Sequence, residues 1–493
     1  MQYLTELSYV SLETFRSFME KVSCDFLPPL LPRIDVDLYY EKLSKLATSV
    51  VCMDGDKMVG IVAAYCNNME TKVAYIPLVC VDVEYRGQHI ATELMNRAIS
   101  LVKSRGMQKI GIHTNNKFAK SMYVKMGFQL IWERYQTDIK TDRYYLEKTL
   151  IDRIMNILLT SAGRRTYLVE YFKKALAGHG KVYASNSIDT YTLHQADGYV
   201  ITPSIYDKEY INFLISYCKN YQISAIISLF DIDLPVLAKH KDEFKKEGIT
   251  VVVSDYNVTQ ICNDKWSTYE FLVRLGLPQT PSYLNLENLK KDIADGVVNY
   301  PFILKPRWGM GSIGIYKACN EQELLVLYAK LHKEIFDTYL KYESQVDKDS
   351  CIIIQQMIKG QEYGIEILND LAGNYVTTFA KKKVAMRSGE TDIAETVDPE
   401  TFEDAAMLIS THLHHVANLD VDCFKTDDGK IVVLEMNCRF GGQYPFTHNA
   451  GVNVPKQIIN WLEGKDTDAT LLKQKNGVVS CKELMPVVFN MKS

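Results

Sequence analysis

The stretch DCFKTDDGKIVVLEMNCRFGG, residues 422–442, decides how the C-terminal two-thirds of the chain is read. Asp427-Asp428-Gly429 is a hairpin-turn signal between two strand-like segments. An antiparallel pair closed by that turn brings Asp422 and Glu435 side by side near its open end. Asn437 lies two residues beyond Glu435 on the same strand face, and Arg439 two beyond that. Two carboxylates and an amide oxygen form an oxygen set suited to Mg²⁺ bound to phosphates. The Arg439 guanidinium projects from that face and can neutralise an acyl or phosphoryl oxygen.

Upstream, Tyr300 to Pro306 reads as a strand ending in Lys305, followed at once by a glycine loop holding Gly309, Gly311, Ser312 and Gly314. A strand-end lysine beside such a loop can hold polyphosphate, with charge from the ammonium and donors from the backbone. Gly-Lys-Ser/Thr is absent, so this is not a P-loop. Asn263-Asp264-Lys265 opens a helix that reaches Leu275, and Cys351 to Glu362 reads as one strand leading into Tyr363–Leu368. Arg387 to Asp392 has the polar composition of a lid. His412 and His415 share a face if Thr401 to Ala417 is a helix; with no acidic or Cys partner nearby in sequence, a surface or core role is expected rather than a metal.

These pieces in this order resemble an ATP-grasp ligase of the carbamoyl-phosphate-synthetase-like branch, over about residues 155 to 465. The resemblance implies that Lys265 and Lys305, with Gly309, Gly311 and Ser312, hold the phosphates of ATP. Gln356 and Ile358 would meet adenine through backbone groups, and Glu362 the ribose hydroxyls. Asp422, Glu435 and Asn437 would bind Mg²⁺, and Arg439 would steady a tetrahedral oxyanion. Many relatives have Glu where Gln355 stands.

The N-terminal 150 residues read differently. Ser49 to Asn67 forms two strands around Asp54-Gly55, and Tyr75 to Val83 is a strand running into Arg86-Gly87-Gln-His89-Ile-Ala91 and a helix from Thr92 to Arg105. A strand feeding a loop at a helix N-terminus exposes backbone donors to an anion. Further on, Ile110–Thr114 is a strand followed by Asn116 and Tyr123 on a helix. Together these resemble the GNAT-type acyl-CoA N-acyltransferases, although His89 stands where that family usually has Gly. The resemblance implies that Arg86, Gly87, Ala91 and Asn116 meet an acyl-CoA such as acetyl-CoA, and that Tyr123 protonates the leaving thiolate. Asp82 and Glu84 are candidate bases by position.

Three domains are expected: an acyltransferase over 1–150, a pre-ATP-grasp α/β lobe over 154–258 opening with Ser161-Ala-Gly-Arg-Arg165, and an ATP-grasp domain over 259–493. The fold class is α/β and α+β multidomain. A formal charge of −4 gives no basic excess for nucleic acid, and no apolar run is long enough to span a bilayer. Eleven Cys without a Cys-x-x-Cys pair argue against structural zinc and point to a cytoplasmic setting. The expected activity is bifunctional, with a carboxylate–amine ligase acting through an acylphosphate joined to an N-acyltransferase, in specialised small-molecule, peptide or saccharide modification. Its partners would be small carboxylates and amines, with a homo-oligomer permitted. The rival reading is a regulatory protein that senses nucleotide or acyl-CoA with one inactive domain.

Overall fold

The computed structural model describes residues 1–137, 140–150, 154–309, 311 and 313–489. Ser312 and the junction 151–153 therefore lie outside the described residues. The chain divides into two compact units, Met1–Arg153 and Ile154–Ser493.

The first unit is built on a seven-stranded sheet. Alternation over Val50–Cys52 and Ile61–Ala64 sends Val50, Cys52, Val62 and Ala64 to one core and Val51, Ile61 and Ala63 to another. Helices Ile90–Ser104 and Lys117–Lys125 contribute to the first core, and Leu12–Val22 and Val36–Leu46 to the second. Val73–Val81 and Lys109–Thr114 form the parallel pair in this sheet, and their ladder ends at Ile76 opposite Ile112. Beyond that point the two strands are no longer paired, which leaves a wedge in the sheet.

Among the described residues the second unit holds three sheets. A five-stranded parallel sheet has Asn156–Thr160 at its centre, flanked by Val182–Asn186 and Ile223–Ser228. The chain winds outward in opposite directions from that strand, so the loops after Thr160 and Ser228 flank a topological switch point, where open α/β sheets bind ligands. A four-stranded antiparallel sheet contains Phe302–Pro306 and Ile352–Gln356. The third, a six-stranded antiparallel sheet, contains Gly360–Asn369, Tyr375–Arg387, Asn418–Thr426 and Ile431–Asn437. One of its faces is apolar: Ile365, Ile367, Val421 and Cys423 pack in one core with Phe402 and Ile409 of helix Glu400–Leu413. The intervening residues, Gly364, Glu366, Asp420 and Asp422, point to the opposite face.

Two expectations change. Cys351 to Glu362 is not one strand: Ile352–Gln356 and Gly360–Asn369 belong to different sheets, and Met357–Lys359 cross between them. Helix Tyr256–Asn263 runs across residues 258 and 259, and Asp264 caps the next helix, Lys265–Arg274. The helix expected to carry His412 and His415 ends at Leu413, because His414 turns left-handed at φ 53°. His415 is fully buried, with Nε2 3.0 Å from the Ile367 carbonyl oxygen, and burial pushes its pKa down to about 4.

Candidate functional site

A cleft of about 890 Å³ opens in the second unit at the switch point. The loops after Thr160 and Ser228 contribute Arg165 and Asp231, and the four-stranded sheet contributes Lys305 with Gly309 and Gly311. The six-stranded sheet supplies Asp420, Asp422, Glu435, Asn437 and Arg439. The hairpin register sets Asp422 opposite Glu435 and Asp420 opposite Asn437, so the four side chains share a sheet face.

Charge alternates across that face. Lys383 lies 2.7 Å from Asp422 and 2.6 Å from Glu362, so the residue expected at a ribose and the residue expected at a metal share one buried ammonium. Burial works against that ammonium, but Asp422 and Glu362 outweigh it and hold it protonated more firmly than an ordinary lysine. Lys265 sits 3.5 Å from Glu435 and also donates to the Gly309 carbonyl, tying the glycine loop to the carboxylate. Burial alone would raise the Glu435 carboxyl; Lys265 and Lys305 outweigh it and hold it below its ordinary range. Burial, reinforced by Lys265, pushes Lys305 down to about 8 despite Glu435, Asp422 and Glu362 nearby. Asp264 takes two hydrogen bonds of 2.8 Å from Arg307 while capping the helix that begins at Lys265, which fixes where that lysine starts.

Arg439 donates at 2.7 Å to Asp231, from the parallel sheet, and lies 3.6 Å from Asp420. Arg165 bonds the carbonyls of Leu229 and Phe440 at 2.5 and 2.7 Å. The two guanidiniums thus stitch the two sheets together at the cleft floor. Arg387 to Asp392 forms a tight hairpin at the rim, with Ser388 and Gly389 both at positive φ, 50° and 79°, as a type I′ turn requires.

The expected adenine contacts are placed less simply. The Gln356 N–H donates to the Pro281 carbonyl at 3.0 Å, and its own carbonyl accepts from the Thr280 hydroxyl at 2.8 Å. Those groups are committed inside the fold, while Ile358 lies on the crossing segment between the two sheets. Asp422, Glu435 and Asn437 fit a divalent cation by donor chemistry. Among the described residues no group of three or more His, Cys, Asp or Glu could hold a metal alone.

In the first unit, Gly87 has φ 79° and His89 φ 60°, so the position expected to carry Gly holds a histidine in the left-handed region. A Cβ at Gly87 would meet nothing within 4 Å, leaving the loop open to a ligand. The Arg86 side chain donates to the Val81 carbonyl at 3.1 Å and pairs with Asp25. Asn116 caps the helix Lys117–Lys125 through the N–H groups of Phe118 and Ala119, at 2.9 and 3.1 Å. Tyr123 is buried, and burial with Cys80 nearby keeps its phenol protonated well beyond the ordinary range. Asp82 caps a short turn at Glu84 and sits 3.6 Å from Lys21. Sequence reasoning passed over His113, the first residue beyond the ladder's end at Ile112. Its Nδ1 lies 3.2 Å from the Tyr75 hydroxyl, its ring packs on Tyr145 and Trp132, and burial with Arg143 nearby keeps it neutral. Arg165, Asp231, Asp420 and Lys383 were also unassigned as site residues. For Asp420 the signal was present, because it alternates with Asp422 on one strand.

The chain matches the acetyltransferase (GNAT) family over residues 16–128, the PylC-like N-terminal domain over 157–252 and an ATP-grasp domain over 298–446. N-alpha-acetyltransferase 30 of Schizosaccharomyces pombe is 35% identical over 105 residues, covering 20% of this chain and 65% of that protein. The arginine-specific carbamoyl phosphate synthase large chain of Bacillus subtilis is 22% identical over 216 residues, 41% of this chain. The matched part spans only 19% of that relative. The biotin carboxylase domain of Hydrogenobacter thermophilus 2-oxoglutarate carboxylase, solved with MgADP and bicarbonate, superposes with a TM-score of 0.54 at 18% identity. That overlap covers 67% of this chain and 74% of the other and shows a shared fold. The chain thus joins a GNAT acetyltransferase domain to a PylC-like domain and an ATP-grasp domain, as the sequence motifs suggested. These are enzyme domains, and the architecture is mixed α/β. Among the described residues no helix is long and apolar enough to cross a membrane.

Proposed function

We propose that the chain is a bifunctional enzyme: an ATP-dependent carboxylate–amine ligase working through an acylphosphate, joined to an acyl-CoA N-acyltransferase. One observation carries the ligase half. Lys265, Lys305, Asp422, Glu435, Asn437 and Arg439, drawn from separate segments, line a single cleft. In this reading residues 259–493 supply the nucleotide and metal site, 154–258 the lobe facing it and 1–150 the acyltransferase. The eleven free cysteines suit a reducing, cytoplasmic setting.

Asp422, Glu435 and Asn437 would hold Mg²⁺, which when bound draws charge from phosphate oxygens. Lys265, Lys305 and the glycine loop bind and orient the polyphosphate of ATP. A substrate carboxylate oxygen attacks the γ-phosphorus, the bond to the bridging oxygen breaks, and ADP leaves with that electron pair. An amine then attacks the acyl carbon, the bond to phosphate breaks, and the amine loses a proton. Arg439, held by Asp231 and Asp420, stabilises charge on the tetrahedral oxygen. The 387–392 hairpin and the glycine loop keep water from the acylphosphate.

In the acyltransferase, a second amine attacks the thioester carbonyl. His113, kept neutral, takes its proton, and Tyr123 returns one to the departing thiolate. The loop from Arg86 to Ala91 and the wedge beyond Ile76 would receive acyl-CoA such as acetyl-CoA, with Asn116 shaping the neighbouring helix end. A screen of pooled carboxylic acids and amines, read for ADP and for product mass, tests the ligase. Nucleotide binding with no ADP from any pair would remove it in favour of a nucleotide sensor, and an unchanged acyl-CoA pool with every amine would remove the acyltransferase.

A further inference from the structure

Gln443 is almost fully buried just past Arg439, where it enters the short helix Tyr444–Asn449. Its amide Nε2 donates one hydrogen to Asp420 at 2.5 Å and the other to Asp422 at 3.2 Å. The orientation of the amide is forced, because a flip would press its oxygen against two carboxylates. The carbonyl Oε1 pays for this: it is buried with no hydrogen-bond partner.

Space for this side chain is carved by glycine. Gly364 lies opposite Asp422 in the sheet, on the same face, and a Cβ there would land on the Gln443 amide. A Cβ at Gly441 would land on the Asp420 carboxylate. Neither glycine has a positive φ, so backbone conformation does not call for it. What each position requires is the absence of a side chain.

We propose that Gln443 is a positioning residue that fixes the Asp422 carboxylate for the divalent cation of the bound nucleotide, in a slot that exists because residue 364 is glycine. This rests on reading the cleft as an ATP–Mg²⁺ site. Asp420 is buried and Asp422 half-buried, and neighbouring carboxylates repel; Gln443 is the donor they share, and without it Asp422 would be held by Lys383 alone. Residues that orient a metal ligand typically govern metal affinity by about 10- to 100-fold.

Calorimetric binding of the non-hydrolysable analogue AMPPNP, with and without Mg²⁺, tests this without turnover. In Gln443→Met, which keeps the volume and loses the donors, the gain in affinity on adding Mg²⁺ should shrink by about tenfold or more. Metal-free AMPPNP binding, set by Lys265 and Lys305, should stay within about twofold of wild type, because neither lysine is touched. Gly364→Ala should reproduce the effect by displacing the amide, and the double variant should be no worse than either single one. Equal Mg²⁺ linkage in wild type and both variants overturns the inference alone. Wild-type protein that binds no AMPPNP overturns the nucleotide site and this inference with it. Loss of the folded state in both variants would show a purely structural glutamine and overturn it as well.

Discussion

In the N-terminal unit the surface proposed to receive acyl-CoA is largely backbone. The ladder between Val73–Val81 and Lys109–Thr114 stops at Ile76 and Ile112, and Gly87 leaves the next loop open. In the C-terminal unit the cleft rests on a lattice of charges on one sheet face, with Glu362, Glu366, Lys381, Lys383, Asp420 and Asp422 interleaved across neighbouring strands and only Asp420 and Asp422 of these lining the cleft. The first kind of site buries few charges and so costs little desolvation. The second needs residues far apart in sequence, and every buried charge in it must be matched. The charged site should therefore be the more fragile of the two, to substitution and to pH.

The largest effect should come from the deepest pair. Lys381 and Glu366 lie 2.6 Å apart with neither side chain exposed at all, and Thr447 also donates to Glu366. Lys381→Met leaves a buried carboxylate without its cation, a loss of about 3–5 kcal/mol by the usual cost of breaking a buried pair. Chemical denaturation of the full chain measures it, and a change under about 1 kcal/mol would mean that the lattice does not depend on matched charge.

Next comes independence of the two proposed activities. Glu435→Gln should lower ADP release by about 10²-fold, as for loss of one electrostatic stabiliser, and leave acyl-CoA consumption intact. Tyr123→Phe should do the reverse by about 10²-fold, with little change in melting temperature because the ring and its burial remain. Running both assays on both variants decides it; if either substitution silences both reactions, the sites are not separate.

The pH response should divide the units again. Lys305 titrates near 8 in the free protein, and a polyphosphate beside it would raise that value by favouring the ammonium. Between the two values binding takes up a proton. Nucleotide affinity should therefore fall as pH rises through about 8, by at most about tenfold per pH unit, with the slope diminished in Lys305→Ala. The folded protein's own stability moves the other way. The unfolded chain holds this proton to about 10.4, so from about 8 upward the Lys305 contribution grows with pH. Titration calorimetry of AMPPNP across pH 7 to 9.5 reads the first effect.

The smallest effect belongs to the backbone-built unit. His89 occupies the left-handed region at φ 60°, at about 1 kcal/mol or more for a residue with a Cβ. His89→Gly removes that strain but frees the unfolded chain, so a net gain of at most about 1 kcal/mol is expected. A small rise in melting temperature with acyl-CoA affinity retained is the outcome to look for. A fall in stability would mean that the imidazole makes contacts worth more than the strain.

Much of the charged site was already legible in residues 422–442. A strong turn signal between two strands sets the register, and register decides that Asp422 faces Glu435 and that Asn437 follows on the same side. Lys305 and the helix opened by Asp264 were legible for the same reason: strand ends and caps are local. The loop from Arg86 to Ala91, expected to receive acyl-CoA, stood out as a motif, although only the dihedral angle at His89 shows why glycine suits that position. What sequence could not supply was pairing across long separations. Asp231 meets Arg439 over 208 residues, and Gln443 fills the space left by Gly364 from 79 residues away. No periodicity encodes such contacts, because they depend on how whole sheets pack. Likewise, the Ile-rich stretch Cys351 to Ile358 carries no break signal of its own, and the packing of two sheets ends the first strand at Gln356. Local pattern determined the elements and their chemistry; tertiary packing decided which charges share a face and which glycines are there to make room.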